Sequence, residues 1–189
     1  MENFLSILTD STRVSSGFKN LAAGTHEVSL MSYKVGDSFT TYDGQLKDNL
    51  PEWSDATPQL IYIVGDDDGA THLDRINMRG YVKFSELTAE QLQSKKFKQA
   101  ANSDYALTKN NGNIVRVEDV EKTKQAFSML RGLCASAGIA DGIAIGTALD
   151  EMVEHQPLFE ITIGNKTYNG KTTQEITSFS AVNENSPAF

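Results

Sequence analysis

Residues 71–84 read THLDRINMRGYVKF, and their alternation restricts the fold more than any other stretch. Arg75, Asn77 and Arg79 share one parity and Ile76 and Met78 the other, the period-two pattern of a strand with a polar and an apolar face. The plainest account is a half-buried strand whose polar side meets water. The sharper account is a sheet face that holds a polyanion, and it needs support from the rest of the chain.

Other β-prone runs surround this one in a definite order. GTHEVSLMSYKV (24–35) puts Val28 and Leu30 on one side and Glu27, Ser29, Met31 and Tyr33 on the other. QLIYIV (59–64) joins the 71–84 strand through the turn GDDDGA. Its Ile61 and Ile63 are expected to face the core, with Tyr62 beside the arginines. The period then changes. LTAEQLQSKKF opens with a capping box, Thr88 to Gln91, and predicts a short helix. DYALTKNNGNIVRV carries Asn111-Gly112 between β-prone runs, a hairpin signal. EDVEKTKQAFSMLRGLCASAGI predicts a longer helix with an apolar stripe of Val120, Thr123, Phe127, Leu130 and Cys134, capped by Gly138. Thr147 and Asp150 mark the start of another short helix. PLFEITIG (157–164) and TQEITSFSAV are the last two strands, joined through Asn169-Gly170.

Three strands, a helix-bearing insertion and two strands form the order of an OB-fold. The expected class is therefore mainly β, a five-stranded, partly open barrel with helices between strands three and four. The expected divisions are an N-terminal extension at 1–23, an OB domain at 24–182 with its insertion at about 85–156, and a flexible tail at 183–189. Ligands of this fold lie across strands two and three, between the loops joining strands one and two and strands four and five. The 71–84 strand would be strand three. The long polar loop before Pro58 brings Phe39, Tyr42 and Trp53, the only tryptophan, and the last hairpin brings Lys166, Tyr168 and Lys171.

Charge pulls two ways. The 189 residues include 17 Lys+Arg and 25 Asp+Glu, a net −8 that argues against a nucleic-acid partner. Residues 71–109, however, hold seven cations against four anions, so that stretch is +3 and the remainder −11. One region can dominate its local field whatever the total. The single cysteine, Cys134, excludes a disulfide framework and a Cys-rich zinc site, and reads as a small buried hydrophobe in a reducing cytosol. No apolar run approaches the roughly 20 residues of a membrane span, and MENFLSILTDSTR lacks the features of a secretory signal, so no membrane partner is expected. Asp66, Asp67 and Asp68 lack the spacing and closing Glu of a calcium loop and read as a solvated turn. There is no helical ligand pair, phosphate loop or nucleophile elbow, so no metal, cofactor or enzymatic step is expected.

The succession AGTHEVSL, TPQLIYIV, RINMRGY, AFSMLRGLCASAGI and PLFEITIGNKTYNGKTTQEITSFSAV resembles phage-type single-stranded DNA-binding proteins, over most of residues 20–182 except about 85–118. The resemblance implies an OB-fold that holds single-stranded DNA without sequence preference, in phage or mobile-element replication or recombination in the cytoplasm of a bacterial host. Within it Arg75, Arg79, Lys83, Lys166 and Lys171 would neutralise phosphates. Tyr33, Phe39, Tyr42, Trp53, Tyr62 and Tyr168 would stack on bases, and Asn77 and His72 would hydrogen-bond sugar or base edges. Many such proteins end in an acidic tail with a terminal Pro-Phe that recruits replication or recombination partners. Here NENSPAF has only Glu184 and places Ala188 between Pro187 and Phe189. Two rivals stand beside this reading. One is an OB-like protein- or sugar-binding or phage structural module, favoured by the net −8. The other is a metal-dependent nuclease using Asp66, Asp67 and Asp68 with Asp74 or His72. Homo-oligomers through edge strands and loops remain open.

Overall fold

The computed structural model describes residues 19–168 and 170–182; the expected tail at 183–189 and most of the N-terminal extension lie outside them. The described chain is mainly β, with three sheets. Strands β1 (Gly24–Asp37), β2 (Pro58–Gly65) and β3 (Thr71–Asn77) precede the long intervening stretch, and β9 (Phe159–Tyr168) and β10 (Lys171–Ala181) follow it. These five make one sheet in the order β10-β9-β1-β2-β3. It is open rather than a closed barrel, with β10 and β3 as its edges. β9 runs antiparallel to β1, setting Val28 opposite Phe159 and Gly24 opposite Ile163. β10 pairs with β9 from Lys171–Tyr168 to Ala181–Phe159, with a bulge between Ile176 and Ser178.

By contacts the chain falls into two compact units. One holds the described residues up to Tyr33, Tyr62–Asp74 and the described residues from Gly132 on; the other is Lys34–Ile61 with Arg75–Arg131. In the first unit Val28, Leu30, Tyr62, Leu133, Leu149, Met152, Phe159, Ile161 and Ile163 are all at most 2% exposed. Each large side chain so covered contributes about 1.5–3 kcal/mol of transfer free energy. Tyr62, expected on the exposed face beside the arginines, is buried instead. Its strand, Gln59 through Gly65, is buried on both parities, as a strand with neighbours on both sides and covered faces must be. The Tyr62 ring lies 6.5 Å from that of Phe179, and burial, followed by the nearby Asp74 charge, pushes its phenol far up. A side chain 1% exposed cannot stack on a base.

The second unit contains two small sheets. β4 (Gly80–Tyr81) pairs with β8 (Glu118–Asp119), and β5 (Lys98–Gln99), β6 (Ala106–Asn110) and β7 (Asn113–Arg116) form a meander. The β6–β7 turn is the expected Asn111-Gly112, at φ 48° and 83°, the left-handed pair that a two-residue hairpin demands. Gly80 has a different task. A Cβ there would fall 2.1 Å from Lys122 Cβ, so only glycine lets β4 pass so close to that residue.

Helix α1 (Ala89–Gln93) keeps the capping box: Thr88 Oγ1 accepts from Gln91 N at 3.2 Å and Gln91 Oε1 from Thr88 N at 2.8 Å. It buries no residue and stops within two turns, Lys95 turning to φ 54°, so Lys95 and Lys96 lie outside the helix predicted to carry them. α2 (Val120–Ser136) buries Leu130, Leu133 and Cys134, but Val120 and Phe127 are 60% and 43% exposed, so only the C-terminal part of the expected stripe is core. Gly138, at φ 77°, caps it through Ala135 O. α3 (Ile145–His155) starts two residues before Thr147 and buries Ala148, Leu149 and Met152. No helix among the described residues is long and apolar enough to cross a membrane.

Candidate functional site

The opening alternation survives at residue level. Arg75, Asn77 and Arg79 are exposed, Ile76 is buried and Met78 half-buried, although β3 itself ends at Asn77. Hydrogen bonding continues past that point, Met78 N donating to Pro58 O at 2.7 Å, which carries Arg79 out beyond the end of the strand.

Arg79 lines a cleft of about 550 Å³ in the second unit. Three chain segments build it. The β1–β2 loop supplies Phe39, Lys47 and Trp53; the chain around the end of β3 supplies Asn77, Arg79, Tyr81 and Lys83; and Tyr105, Arg116 and Lys122 come from the stretch that follows. Among the described residues, five cations and four aromatic rings thus line the cleft with one carboxylate, Asp48. Phe39, Trp53, Asn77, Arg79 and Lys83 were expected here. Lys47, Tyr81, Tyr105, Arg116 and Lys122 were not.

The loop is held from beneath by Arg116, which is 6% exposed. Its backbone N–H donates to Asp55 Oδ1 at 3.0 Å, its Nε to Asp55 Oδ2 at 3.3 Å, and its Nη2 to the Asp55 carbonyl at 3.1 Å and Thr57 Oγ1 at 2.8 Å. The guanidinium lies 3.7 Å from the Tyr81 ring centre, 4.9 Å from that of Trp53 and 5.3 Å from that of Tyr105. A buried cation so enclosed is hydrogen-bonded and ringed by negative π-faces, the two things its desolvation requires. Trp53 meets Tyr105 edge-on at 5.5 Å, so the rings are fixed before any ligand arrives. Tyr81 is also buried, and that burial chiefly pushes its phenol up, with Thr57 and Asp55 near its hydroxyl.

The cations differ in what they can offer. Lys122 is engaged by Glu86 at 2.6 Å and Asp119 at 3.5 Å, the hydrogen bond to Glu86 chiefly holding its ammonium pKa up. The Lys47 ammonium donates to the Ser38 carbonyl, at 2.9 Å, and neither Arg79 nor Lys83 makes a salt bridge among the described residues. Lys47, Arg79 and Lys83 are the exposed cations of the cleft, beside the exposed Asp48. Asn77 accepts from Gln59 Nε2 at 2.6 Å and so sits in the wall through a neighbour. Arg75 is exposed on β3, and Tyr42 is half-buried in the β1–β2 loop, its carbonyl accepting from Lys34 Nζ at 3.2 Å; neither lines the cleft.

The remaining expected residues belong to the first unit. Tyr33 donates to Asp150 Oδ1 at 2.6 Å, tying β1 to α3, and that bond chiefly raises its pKa. Lys166 pairs with Glu175 at 2.8 Å across the β9–β10 ladder. Lys171 is exposed at the start of β10; Tyr168 ends β9, and its side chain lies outside the described residues. His72 is only 9% exposed, which removes it from any ligand surface. Its Nε2 lies 3.9 Å from Asp74 Oδ2, and burial outweighs that carboxylate in drawing its pKa down, with His26 adding to the effect. In the turn before it, Asp66 accepts from Ala70 N at 2.7 Å and Gly69 takes φ 78°. Among the described residues no three of His, Cys, Asp and Glu gather to hold a metal.

The depressed His72 pKa has a consequence for stability. Between its folded value and about 6.5 the unfolded chain binds more protons, so stability falls as pH drops below about 6.5 and levels off beneath the folded pKa. Denaturant midpoints measured from pH 7.5 to 5.0 should show this loss, and His72→Gln should flatten it. A wild-type slope retained by the variant would assign the loss to another group.

No family model matches the chain, and no curated protein matches it.

Proposed function

We propose that the chain binds single-stranded DNA without sequence preference, holding the strand rather than transforming it. The observation that carries the reading is the cleft around Arg79: five cations and four rings against one carboxylate, in a chain of net charge −8. Phosphates call for the first group and exposed base faces for the second. Lys47, Arg79 and Lys83 are the phosphate ligands of this reading. Phe39 and Trp53 are its stacking surfaces, with Tyr81 and Tyr105 as the scaffold that sets them.

The OB-fold belongs to the same proposal. Its support is the order β10-β9-β1-β2-β3, in which β9 returns beside the first strand and β10 beside β9. The bond from Ile176 N to Asp74 Oδ2, at 2.6 Å, adds to it by joining edge β10 to edge β3. Lining the cleft with the β1–β2 loop, Gln59 of β2 and the end of β3 also matches the face on which that fold takes its ligands. Lys166, Tyr168 and Lys171 stay in the proposal as residues of the β9–β10 hairpin, and replication or recombination in a bacterial cytoplasm stays as its setting. The protein-interaction rival draws on the net −8 and on exposed Val120, Phe127 and Met129 of α2.

Titration of labelled oligo-dT by fluorescence anisotropy at low salt is the test. Binding at micromolar protein, quenching of Trp53 and little affinity for duplex are expected. Three exposed phosphate ligands give a log–log salt slope of about −2. No binding of oligo-dT, with retention of a protein partner in a pull-down, would give the chain to the rival.

A further inference from the structure

A second basic cleft lies in the same unit, with a volume of about 480 Å³. Lys95, Lys96, Lys98 and Lys109 line it, no carboxylate among the described residues does, and its floor is apolar: Leu107 is fully buried and Phe97 half-buried. The backbone explains the gathering. Lys95 turns away from α1 at φ 54°, Lys98 stands opposite Leu107 in the β5–β6 pair, and Lys109 stands opposite Ile114 beside the Asn111-Gly112 turn. Like charges gathered on one cleft repel one another, and of these only Lys98 is paired with a carboxylate among the described residues.

The chain at Trp53 connects the two clefts. Trp53 lines the first, while its neighbours reach the second: Glu52 pairs with Lys98 at 3.0 Å, and Ser54 N donates to Ile114 O at 2.8 Å. The Glu52 carboxylate, its pKa drawn down chiefly by Lys98, is already an oxyanion held at the rim. Lys95, Lys96 and Lys109 make no salt bridge among the described residues.

We propose that this lysine cleft is a second phosphate-holding subsite that continues the strand's path beyond Trp53, an inference that rests on the reading of the first cleft. An acidic peptide would satisfy the same charges. The bonds from Glu52 to Lys98 and from Ser54 to Ile114 favour the nucleic acid, because a strand stacked on Trp53 needs only to continue to reach the lysines. Site length, not affinity for one nucleotide, is what the second cleft sets.

The experiment compares oligo-dT of about 4 and about 16 nucleotides, the span of site sizes for such folds. Three added contacts steepen the salt slope of the longer strand by about 2. The Lys95→Ala/Lys96→Ala/Lys109→Ala variant should lose that increment and bind the longer strand at least tenfold more weakly at low salt. Its binding of the short strand and its unfolding midpoint should not change. A variant that keeps the wild-type slope on the long strand overturns the inference while leaving the first cleft intact. Wild-type protein that binds neither length overturns both. Capture of polyglutamate by the wild type but not the variant, with DNA slopes equal, would assign the cleft to an acidic chain instead.

Discussion

Arg79→Glu should weaken binding of oligo-dT by about 10- to 150-fold at low salt, the loss of one charge-assisted hydrogen bond worth about 1.5–3 kcal/mol. Arg79 stands at the centre of this test because it is exposed, lies past the end of β3 and makes no salt bridge among the described residues. Its charge is therefore available to a ligand and little needed by the fold. The unfolding free energy should stay within about 0.5 kcal/mol of wild type, as for most exposed substitutions. Arg79→Gln should reduce the salt slope by about 0.7, one phosphate contact on a single strand. Arg79→Glu protein that binds oligo-dT with wild-type affinity would remove the cleft from consideration.

Arg116→Met should have the larger effect on the fold, destabilising it by about 3–5 kcal/mol, because it strands Asp55 without its partner. Two features put the loss at that end of the scale. The Arg116 side chain is 4% exposed and that of Asp55 18%, and the same guanidinium also packs against three rings. Arg116→Lys should rescue little, since an ammonium cannot reproduce the fork or lie flat on Tyr81. Denaturant unfolding followed by Trp53 fluorescence measures both variants. Because Trp53 rests on Arg116, its emission in the folded state should also shift. A loss below about 1 kcal/mol would make the arrangement a surface ornament, not a clamp.

The two residues differ in how visible they are in the sequence. Arg79 belongs to a local alternation, and a period of two needs no distant information. The Thr88–Gln91 capping box and the Asn111-Gly112 turn are likewise local, and each appears where its residues imply. Arg116 is different. Its partners are Trp53, Asp55, Thr57, Tyr81 and Tyr105, spread along the chain, and NIVRV alone does not say which way its arginine points. Tyr62 failed for a related reason. Alternation separates two faces but does not reveal that neighbouring elements cover both. Phe127 failed because a stripe of apolar residues shows which side of a helix can be buried, not how far along its length a partner extends. The alternation at 71–84 marked one side of the cleft, Asn77 and Arg79, but the far side comes from Tyr105, Arg116 and Lys122, which only tertiary packing brings to it.

The bulge in β10 next to the Asp74 contact affects how copies of this chain meet. A long outermost strand with a row of unused amides is a template on which further chains can add, ending in fibrous precipitate. Here the ladder register slips between Ile176 and Ser178, and the Ile176 amide is already spoken for by a carboxylate. A newcomer laid along that margin would find its hydrogen-bonding rhythm broken midway and a negative charge at the break. Both features work against the addition of a further strand at that point of β10.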